Sequence, residues 1–315
     1  MKPRQVFGAA DLGTDARSHA QLPTPVPLDE HTVRVFVSSR NGSGESLPYA
    51  VDLDIDTFDI VGNQRRPLMP LGARGAFDEN GIMPSSVVRL NDGSFRMYYI
   101  GWNRGSSTVP YRLAIGSARS DDGLHFEREN DGPLLDRSRA DPIFVTTPNV
   151  VPGAHEPHQE WTMTYVSASA WELIDGRPEP KYHLALATSP DGLAWSPSGP
   201  MTVSFEAEAF ARPSRFPHGA EELLIFCHRK MNGYRSGGPA AYRIGVLHGS
   251  ERSDWTTVTR DLVIEGDAEW ASEMRCYPQL VQRRDSFVML YNGDGFGRTG
   301  VLAAQIDPAR IGLPS

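Results

Sequence analysis

Residues 81–88 read GIMPSSVV, a short apolar stretch with one internal proline, and four other stretches of the chain resemble it. They are AQLPTPV (20–26), VTTPNVV (145–151), FARPSRF (210–216) and RCYPQLV (275–281). The five prolines are Pro23, Pro84, Pro148, Pro213 and Pro278, so their spacings are 61, 64, 65 and 65 residues. A nearly constant spacing is typical of repeat proteins. The sequence therefore predicts five similar units that account for the whole chain.

The order of strands is the same in each unit. An apolar strand follows the proline stretch, for example FRMYYIGWN (95–103), and a third strand follows it, for example YRLAIGSA (111–118) and YHLALATS (182–189). The turns SDDGLHF (120–126) and SPDGLAW (189–195) come next. Asp-Gly favours a hairpin because glycine adopts positive φ without strain. Each turn should join the third strand to a fourth, with its aromatic residue packed between neighbouring units.

Four antiparallel strands repeated radially form the blades of a propeller. We predict an all-β fold: a five-bladed β-propeller with four-stranded antiparallel blades around a central channel. A single domain should span residues 1–315, with inner strands near 20–27, 81–88, 144–151, 209–216 and 274–281. The last unit lacks a clear fourth strand. The N-terminal RQVFG (4–8) is expected to supply it, which would close the ring and cover an open sheet edge.

Composition narrows the classes of function. The net charge of the 315-residue chain is -8 and there is no basic block, so nucleic acid is not an expected partner. No apolar stretch is long enough for a membrane span or a secretory signal, which favours a cytoplasmic protein without a membrane partner. Cys227 and Cys276 have no CxxC spacing, so we expect reduced thiols and no metal site. The oligomeric state is not predicted.

Charged residues precede each of the five prolines. The first strand of every blade should line the channel, so these side chains are expected to converge on one pocket. The acids considered are Asp15, Asp78, Asp141, Glu206, Glu208, Glu269 and Glu273. The cations are Arg17, His19, Arg212, Arg229 and Arg275, which could neutralise the acids or bind an anion.

Aromatic and amide side chains add to the same face. Pyranose rings stack on aromatic rings, and sugar hydroxyls need fixed donors and acceptors, so this mixture is typical of sugar binding. The alternative is that the aromatic residues only pack between blades. The candidates are Arg40, Asn80, Trp102, Asn103, Trp171, Tyr277, Asn292 and Asp294.

The five-unit pattern, the S-x-D-G-x-x-[FW] turns, the ADP at 140–142 and the glutamate before the last proline stretch resemble the five-bladed propeller glycoside hydrolases of families 32, 43, 62, 68 and 117. They also resemble the family 130 mannoside phosphorylases. The resemblance implies glycosidic bond cleavage by two carboxylates on different blades. Glu273 would be the general acid and Asp78 the base or nucleophile. Asp141 would orient a partner or stabilise the cationic sugar, and Asp15 and Glu208 would be the reserve acids.

Other functions stay open at this point. The arginines could bind phosphate as a co-substrate, which would make the protein a phosphorylase. The propeller could also be a non-catalytic carbohydrate-binding protein or serve in secondary-metabolite tailoring, since fold alone does not establish chemistry. No cofactor is required by any of these functions, although a structural Ca²⁺ or a phosphate is compatible with them. The expected substrate is a small carbohydrate or glycoside.

Overall fold

The computed structural model describes residues 2–153, 160–219, 221–250, 255–283 and 286–313. These residues form twenty strands, two four-residue helical segments and three 3-10 turns. The first ten strands are β1 (Arg4–Phe7), β2 (Ser18–Pro27), β3 (Thr32–Arg40), β4 (Ser46–Asp54), β5 (Ile60–Gly62), β6 (Gly81–Arg89), β7 (Phe95–Arg104), β8 (Tyr111–Ser120), β9 (Glu127–Arg128) and β10 (Phe144–Val151). The others are β11 (Trp161–Ile174), β12 (Arg177–Ser189), β13 (Ser196–Pro200), β14 (Ala209–His218), β15 (Glu221–Arg229), β16 (Arg243–Gly249), β17 (Thr256–Thr259), β18 (Cys276–Arg283), β19 (Ser286–Asn292) and β20 (Val301–Ile306). The helical segments are α1 (Ala9–Leu12) and α2 (Asp294–Gly297), and the 3-10 turns are Tyr234–Ser236, Gly238–Ala240 and Pro308–Ile311.

The strands pair in antiparallel groups of four. The groups are β2-β3-β4-β5, β6-β7-β8-β9, β10-β11-β12-β13, β14-β15-β16-β17 and β18-β19-β20-β1. The first two groups belong to one continuous sheet because a single parallel residue pair, Ser46 with Gly81, joins them. The predicted all-β class and the predicted order of four antiparallel strands are confirmed.

The last group is completed by the N-terminal strand. Arg4 pairs with Ala303 and Gln5 with Leu302, so β1 is the outer strand beside β20. This pairing joins the two ends of the chain and covers the edge that β20 would otherwise leave open. The prediction that RQVFG supplies the missing strand is confirmed.

Each inner strand changes register at its proline. The antiparallel ladder shifts between Gln21 and Thr24 around Pro23, and the same irregularity occurs at the other four prolines. Proline has no N–H to donate to a ladder and is found in strands mainly at edges and bulges. The inner strands are edges of their groups, which explains why they tolerate it.

The backbone before four of the five prolines is left-handed. Leu22, Thr147, Arg212 and Tyr277 have φ between 46° and 59°. Such values are uncommon for residues other than glycine. A bulge redirects the side chain at that position, and three of the four side chains line the central cavity described below.

Each repeated turn joins the third and fourth strands of its group and, as predicted, contacts the neighbouring group. The Ser120 hydroxyl accepts a hydrogen bond from the N–H of Gly123 at 2.8 Å, which fixes the turn between β8 and β9. Phe126 then packs edge-on against Phe36 of the preceding group at 5.9 Å, and Arg34 donates to the carbonyl of Asp122 at 2.7 Å.

The second copy of the turn makes the same set of contacts one group later. The Ser189 hydroxyl accepts from the N–H of Gly192, Trp195 packs edge-on against Tyr98, and Arg96 donates to the carbonyl of Asp191. The aromatic residue that ends each turn therefore packs between groups, as the sequence indicated.

A glycine directly before β20 gives a test of the β1–β20 pairing. A Cβ at Gly300, where φ is +83°, would lie 2.3 Å from the carbonyl oxygen of Phe7. At Gly93 φ is +87°, and no atom lies within 4 Å of the position that a Cβ would take. Both alanine variants adopt an unfavourable φ, which costs about 1–2 kcal/mol, but only Gly300→Ala pushes β1 away from β20.

We therefore expect Gly300→Ala to lower the free energy of unfolding by at least about 3 kcal/mol and Gly93→Ala by about 1 kcal/mol. Urea unfolding followed by circular dichroism measures both. Equal losses in the two variants would contradict the importance of the β1–β20 pairing.

Candidate functional site

The five inner strands meet around one cavity of about 760 Å³. This volume is in the range of small-molecule sites. Each inner strand contributes a residue one or two positions before its proline: Leu22, Met83, Thr147, Ala211 and Tyr277. The prediction that residues preceding the prolines converge on one pocket is confirmed for these positions.

One side of the cavity is an aromatic wall, formed by Tyr111, Tyr182, Tyr234, Tyr242, Tyr277 and Phe296. The Tyr234 ring packs edge-on against both Tyr242 and Phe296, at 5.9 and 6.3 Å. The hydroxyls of Tyr111 and Tyr182 lie 3.4 Å apart. Burial raises the pKa of Tyr182 well above its ordinary value, so these phenols are neutral donors and acceptors near pH 7.

An arginine is enclosed by the aromatic wall. The guanidinium carbon of Arg229 lies 3.8 Å from the centre of the Tyr234 ring and 5.5 Å from that of Tyr182. Its Nη2 donates to the carbonyl of Pro180 at 3.1 Å, and its Nε donates to the Tyr242 hydroxyl at 3.2 Å. The ring quadrupoles stabilise the cation where solvent does not reach it. Arg229 therefore holds the wall together as well as lining it.

The wall is also tied to the β11–β12 hairpin. Glu179, a buried residue of β12, accepts a hydrogen bond from the Tyr234 hydroxyl at 2.8 Å and forms an ion pair with Arg235. Arg235 also lies over the Tyr234 ring, 4.3 Å from its centre. The Tyr234 ring thus contacts two guanidinium groups and is anchored by one carboxylate.

A cationic cluster lies on another part of the cavity and consists of His19, Arg40 and Arg298. Burial, followed by the positive charges of Arg40 and Arg298, lowers the pKa of His19 to about 4. Partial burial lowers the pKa of Arg40, and the charge of Arg298 adds to this effect. His19 is therefore neutral at pH 7, and the cluster has two positive charges.

Glu273 is the single acid among the described residues that line the cavity. Its N–H donates to Oδ1 of Asp294 at 2.8 Å, and its carbonyl accepts from Arg243 at 3.0 Å. These two bonds fix the backbone, and no hydrogen bond within the described part of the chain occupies its carboxylate. The carboxylate of Glu273 is therefore available to a ligand.

Asp78 and Asp141 do not lie on the cavity wall, contrary to the expectation for catalytic acids. Each is only 1% exposed. Asp78 accepts from the Tyr99 hydroxyl at 3.0 Å and pairs with Arg128 at 2.8 Å. Both oxygens of Asp141 accept from the Tyr165 hydroxyl at 3.1 Å.

A third group contains the same arrangement. Asp267 is equally buried, accepts from the Tyr291 hydroxyl at 2.9 Å and pairs with Arg275. An aspartate that precedes the inner strand and a tyrosine on the second strand thus form a repeated scaffold contact. The acids before the prolines were predicted as a set, but the structure separates this scaffold set from Glu273.

Arg212 is fully buried and is not part of the cavity wall. It donates to the carbonyl and hydroxyl of Ser85 and to the Thr24 hydroxyl, which belong to the first two inner strands. Burial lowers its pKa to about 9. Its hydrogen bonds link three inner strands, so the structure assigns it to the scaffold and not to ligand binding.

Four predicted ligand-binding residues and the predicted acid Glu273 reach the cavity. The four are His19, Trp102, Arg229 and Tyr277. Arg40, which was noted at the end of a second strand, is also there.

The remaining predicted residues have other positions. Asn292 is buried and bonds to the backbone of Ala20 and Leu22, and Trp171 packs against Tyr111. Glu208 binds Lys230 and the N–H of Met231. The others outside the cavity lining are Asp15, Arg17, Asn80, Asn103, Arg275 and Asp294.

Sequence reasoning missed most of the aromatic wall. A signal was present, because Tyr111, Tyr182 and Tyr242 each begin the third-strand stretch of their unit, YRLAIG, YHLALA and YRIGVL. Arg298 had no comparable signal, since it follows α2 in a connection that only the last group contains.

Within the described ranges, no three His, Cys, Asp or Glu side chains are grouped closely enough to hold a metal ion. No helix in the same ranges has the length and hydrophobicity to cross a bilayer.

Comparisons with known proteins give relatives and fold neighbours. No protein-family model matches the chain. Two proteins of Mycobacterium tuberculosis, the uncharacterized proteins MT1551 (strain CDC 1551 / Oshkosh) and Rv1502 (strain ATCC 25618 / H37Rv), are each 31% identical to it over 290 residues, which cover 90% of this chain and 91% of each relative.

Solved structures with the same fold are glycoside hydrolases and related proteins. One glycoside hydrolase superimposes with a TM-score of 0.71 at 16% identity, and the match covers 100% of this chain and 95% of the hydrolase. A thermostable family-43 glycoside hydrolase gives 0.62 at 13% identity, with 95% and 92% covered. A member of the GH130 family of mannoside phosphorylases gives 0.63 at 14% identity, with 95% and 87% covered. The resemblance to these propeller families is confirmed at the level of fold.

The scaffold role of Asp78 can be tested by replacing its ion-pair partner, Arg128. Arg128→Met leaves a 1%-exposed carboxylate without its ion-pair partner, which should lower the free energy of unfolding by about 3–5 kcal/mol. Arg119→Met breaks an exposed pair with Asp92 and is the matched control. We expect it to cost less than about 1 kcal/mol. Chemical denaturation of both variants checks this, and a similar small effect in both would contradict the scaffold assignment.

Proposed function

The protein belongs to the family of the uncharacterized M. tuberculosis proteins MT1551 and Rv1502, and we propose that it is a carbohydrate-active enzyme that cleaves a glycosidic bond in its central cavity. Glu273 is the proposed proton donor. The observation that carries the proposal is a carboxylate with no side-chain partner in the described chain, placed in a cavity with a tyrosine-rich wall. The glycoside hydrolase fold of the neighbours supports it.

We also propose that the protein is a single five-bladed propeller. The five four-stranded groups are the blades, their inner strands β2, β6, β10, β14 and β18 surround the cavity, and the β1–β20 pairing closes the ring. We propose that this propeller is one domain, with the bounds 1–315 expected from the sequence.

The aromatic wall would bind the sugar. A pyranose ring presents C–H groups on its faces, which pack well against tyrosine rings, while its hydroxyls can bond to phenol oxygens. Trp102, which also lines the cavity, would add a second stacking surface. The anchoring of Tyr234 by Glu179 would keep this surface rigid, so little ordering of side chains would accompany binding.

Glu273 would protonate the oxygen of the leaving group. Departure of an alkoxide from a sugar is slow unless a carboxylic acid delivers a proton in the transition state. The backbone of Glu273 is held at both its N–H and its carbonyl, which would position the carboxyl group while leaving its oxygens free.

A mechanism with two carboxylates would require a second acid beside Glu273 in the cavity, and the described residues provide none. Asp78 and Asp141 are engaged by tyrosines away from the cavity, so we do not propose catalytic roles for them. The attacking group would then be water or a bound anion. Phosphorolysis is the second candidate function, favoured by the two arginines of the cationic cluster, and it would release a sugar 1-phosphate in place of a free sugar.

The role of Glu273 is tested with glycosides of different leaving groups. Screening should use 4-nitrophenyl, 2,4-dinitrophenyl and methyl glycosides with and without phosphate. We expect Glu273→Gln to reduce kcat on a methyl glycoside by about 10²–10⁴-fold. A dinitrophenyl glycoside should be affected much less, because its leaving group needs no proton.

Glu127→Gln is the matched control, since Glu127 is exposed on the outer strand β9, and it should retain full activity. A uniform loss on all leaving groups would contradict the proton-donor role. Sugar binding by calorimetry without turnover of any glycoside would favour a non-catalytic carbohydrate-binding protein.

A further inference from the structure

We propose that His19, Arg40 and Arg298 form a binding site for a phosphate group, carried either by inorganic phosphate or by a phosphorylated sugar. The inference deepens the proposed function, on which it rests for the assignment of the cavity as the active site. It concerns binding alone, however, and can be tested without turnover.

Three separate elements bring the cluster together. His19 lies on β2, and Arg40 is the last residue of β3, paired with Ser18 across the ladder. Arg298 directly follows α2, whose position beside β2 is fixed by a hydrogen bond from Gln21 to the carbonyl of Phe296 at 2.7 Å. All three side chains line the same cavity.

The arginines of this cluster differ from the arginines of the scaffold. Arg34, Arg96 and Arg128 each form an ion pair with a carboxylate at 2.7–2.9 Å. Within the residues that the structure describes, neither Arg40 nor Arg298 has an ion pair or a side-chain hydrogen bond. Both side chains are exposed to the cavity, so their donors are available to a ligand.

The electrostatics favour an anion. Two guanidinium groups that face one space repel each other, and a bound anion offsets this electrostatic repulsion. The cluster's charges act on one another, because Arg40 and Arg298 lower the pKa of His19 and Arg298 contributes to lowering that of Arg40. Glu273 is the single described acid on the cavity wall, and it forms no ion pair with either arginine.

The number of charges and the donor geometry select phosphate. Two guanidinium groups with a neutral imidazole carry a charge of about +2, which matches a phosphate near pH 7. Each guanidinium can bind two oxygens through its planar fork. The ring of His19 is oriented by its Nδ1, which lies 2.8 Å from the Ser18 hydroxyl, and the ring also interacts with the backbone of Gly295. The donors for the phosphate are therefore mainly those of the two arginines. A single carboxylate would neutralise only one of the two arginines.

Isothermal titration calorimetry with inorganic phosphate, glucose 1-phosphate, glucose 6-phosphate and glucuronate tests the proposal on the full chain. We expect Arg40→Ala and Arg298→Ala each to weaken phosphate binding by at least about tenfold. Arg40→Lys, which keeps the charge but loses the fork, should fall between Arg40→Ala and the unmodified chain. Arg66→Ala is the matched control, because Arg66 is an exposed arginine that contacts Gln64 and His125 outside the cavity.

The titrations also separate the two sources of phosphate. Binding of inorganic phosphate equal to or tighter than that of the sugar phosphates supports a free co-substrate. At least tenfold tighter binding of a sugar phosphate supports a phosphorylated substrate. Binding of glucuronate alone, an absence of binding by any phosphate, or affinity unchanged by both arginine variants would overturn the proposal.

Glu273→Gln makes the two proposals separable. It should bind phosphate at least as tightly as the unmodified chain does, because Glu273 is not part of the cluster and the substitution removes a negative charge from the same cavity. Loss of glycoside cleavage in this variant together with no phosphate affinity in the unmodified chain would refute the phosphate site and leave the proposed function standing. Phosphate binding without cleavage of any glycoside would refute the proposed function and leave the phosphate site standing. The thermal midpoint of each arginine variant without ligand shows whether it is folded.

Discussion

The structure depends on the irregularity that proline introduces into each of the five inner strands. A proline in the interior of a sheet removes a ladder hydrogen bond, so these strands can only be edges. They are the inner edges of their four-stranded groups, and the ladder of each shifts register at its proline. The shift turns the neighbouring residues toward the space between the groups. The cavity and its residues Leu22, Thr147 and Tyr277 result from this constraint.

The groups are held to one another by contacts that recur from one to the next. Arg34 and Arg96 occupy equivalent positions on successive second strands, and each joins a carboxylate of its own group to the turn carbonyl of the next. At the inner edge, Arg212 donates to the first two inner strands from the fourth. These ions are buried, and removing one partner would leave the other uncompensated. The scaffold therefore uses Arg34, Arg96 and Arg212 to fix the relative positions of the strands that form the cavity.

The charged residues divide into those that hold the scaffold together and those that face the cavity. Aspartates before the inner strands accept hydrogen bonds from tyrosines in three groups, and two of these aspartates also pair with arginines. This leaves Glu273 as the cavity's acid among the described residues. Arg34 and Arg128, which have carboxylate partners, belong to the scaffold, whereas Arg40 and Arg298 face the cavity without one in the described part of the sequence. A tyrosine wall, one acid and two available cations suit a sugar and an anion better than a pair of catalytic carboxylates.

The sequence alone determined the strand order, the repeated turns and the pairing of the N-terminal strand with the last group, because each rests on local chemistry: proline at strand edges, Asp-Gly at hairpins, alternation of apolar residues. It also located the inner strands to within a few residues, and with them His19, Trp102 and Glu273. It could not separate Asp78 and Asp141 from Glu273, since all three precede inner strands in the same way. Whether such an acid meets a tyrosine hydroxyl or the open cavity depends on how adjacent groups pack. Only the tertiary structure brought Arg298 to His19 and Arg40, because their proximity requires the last group to lie beside the first.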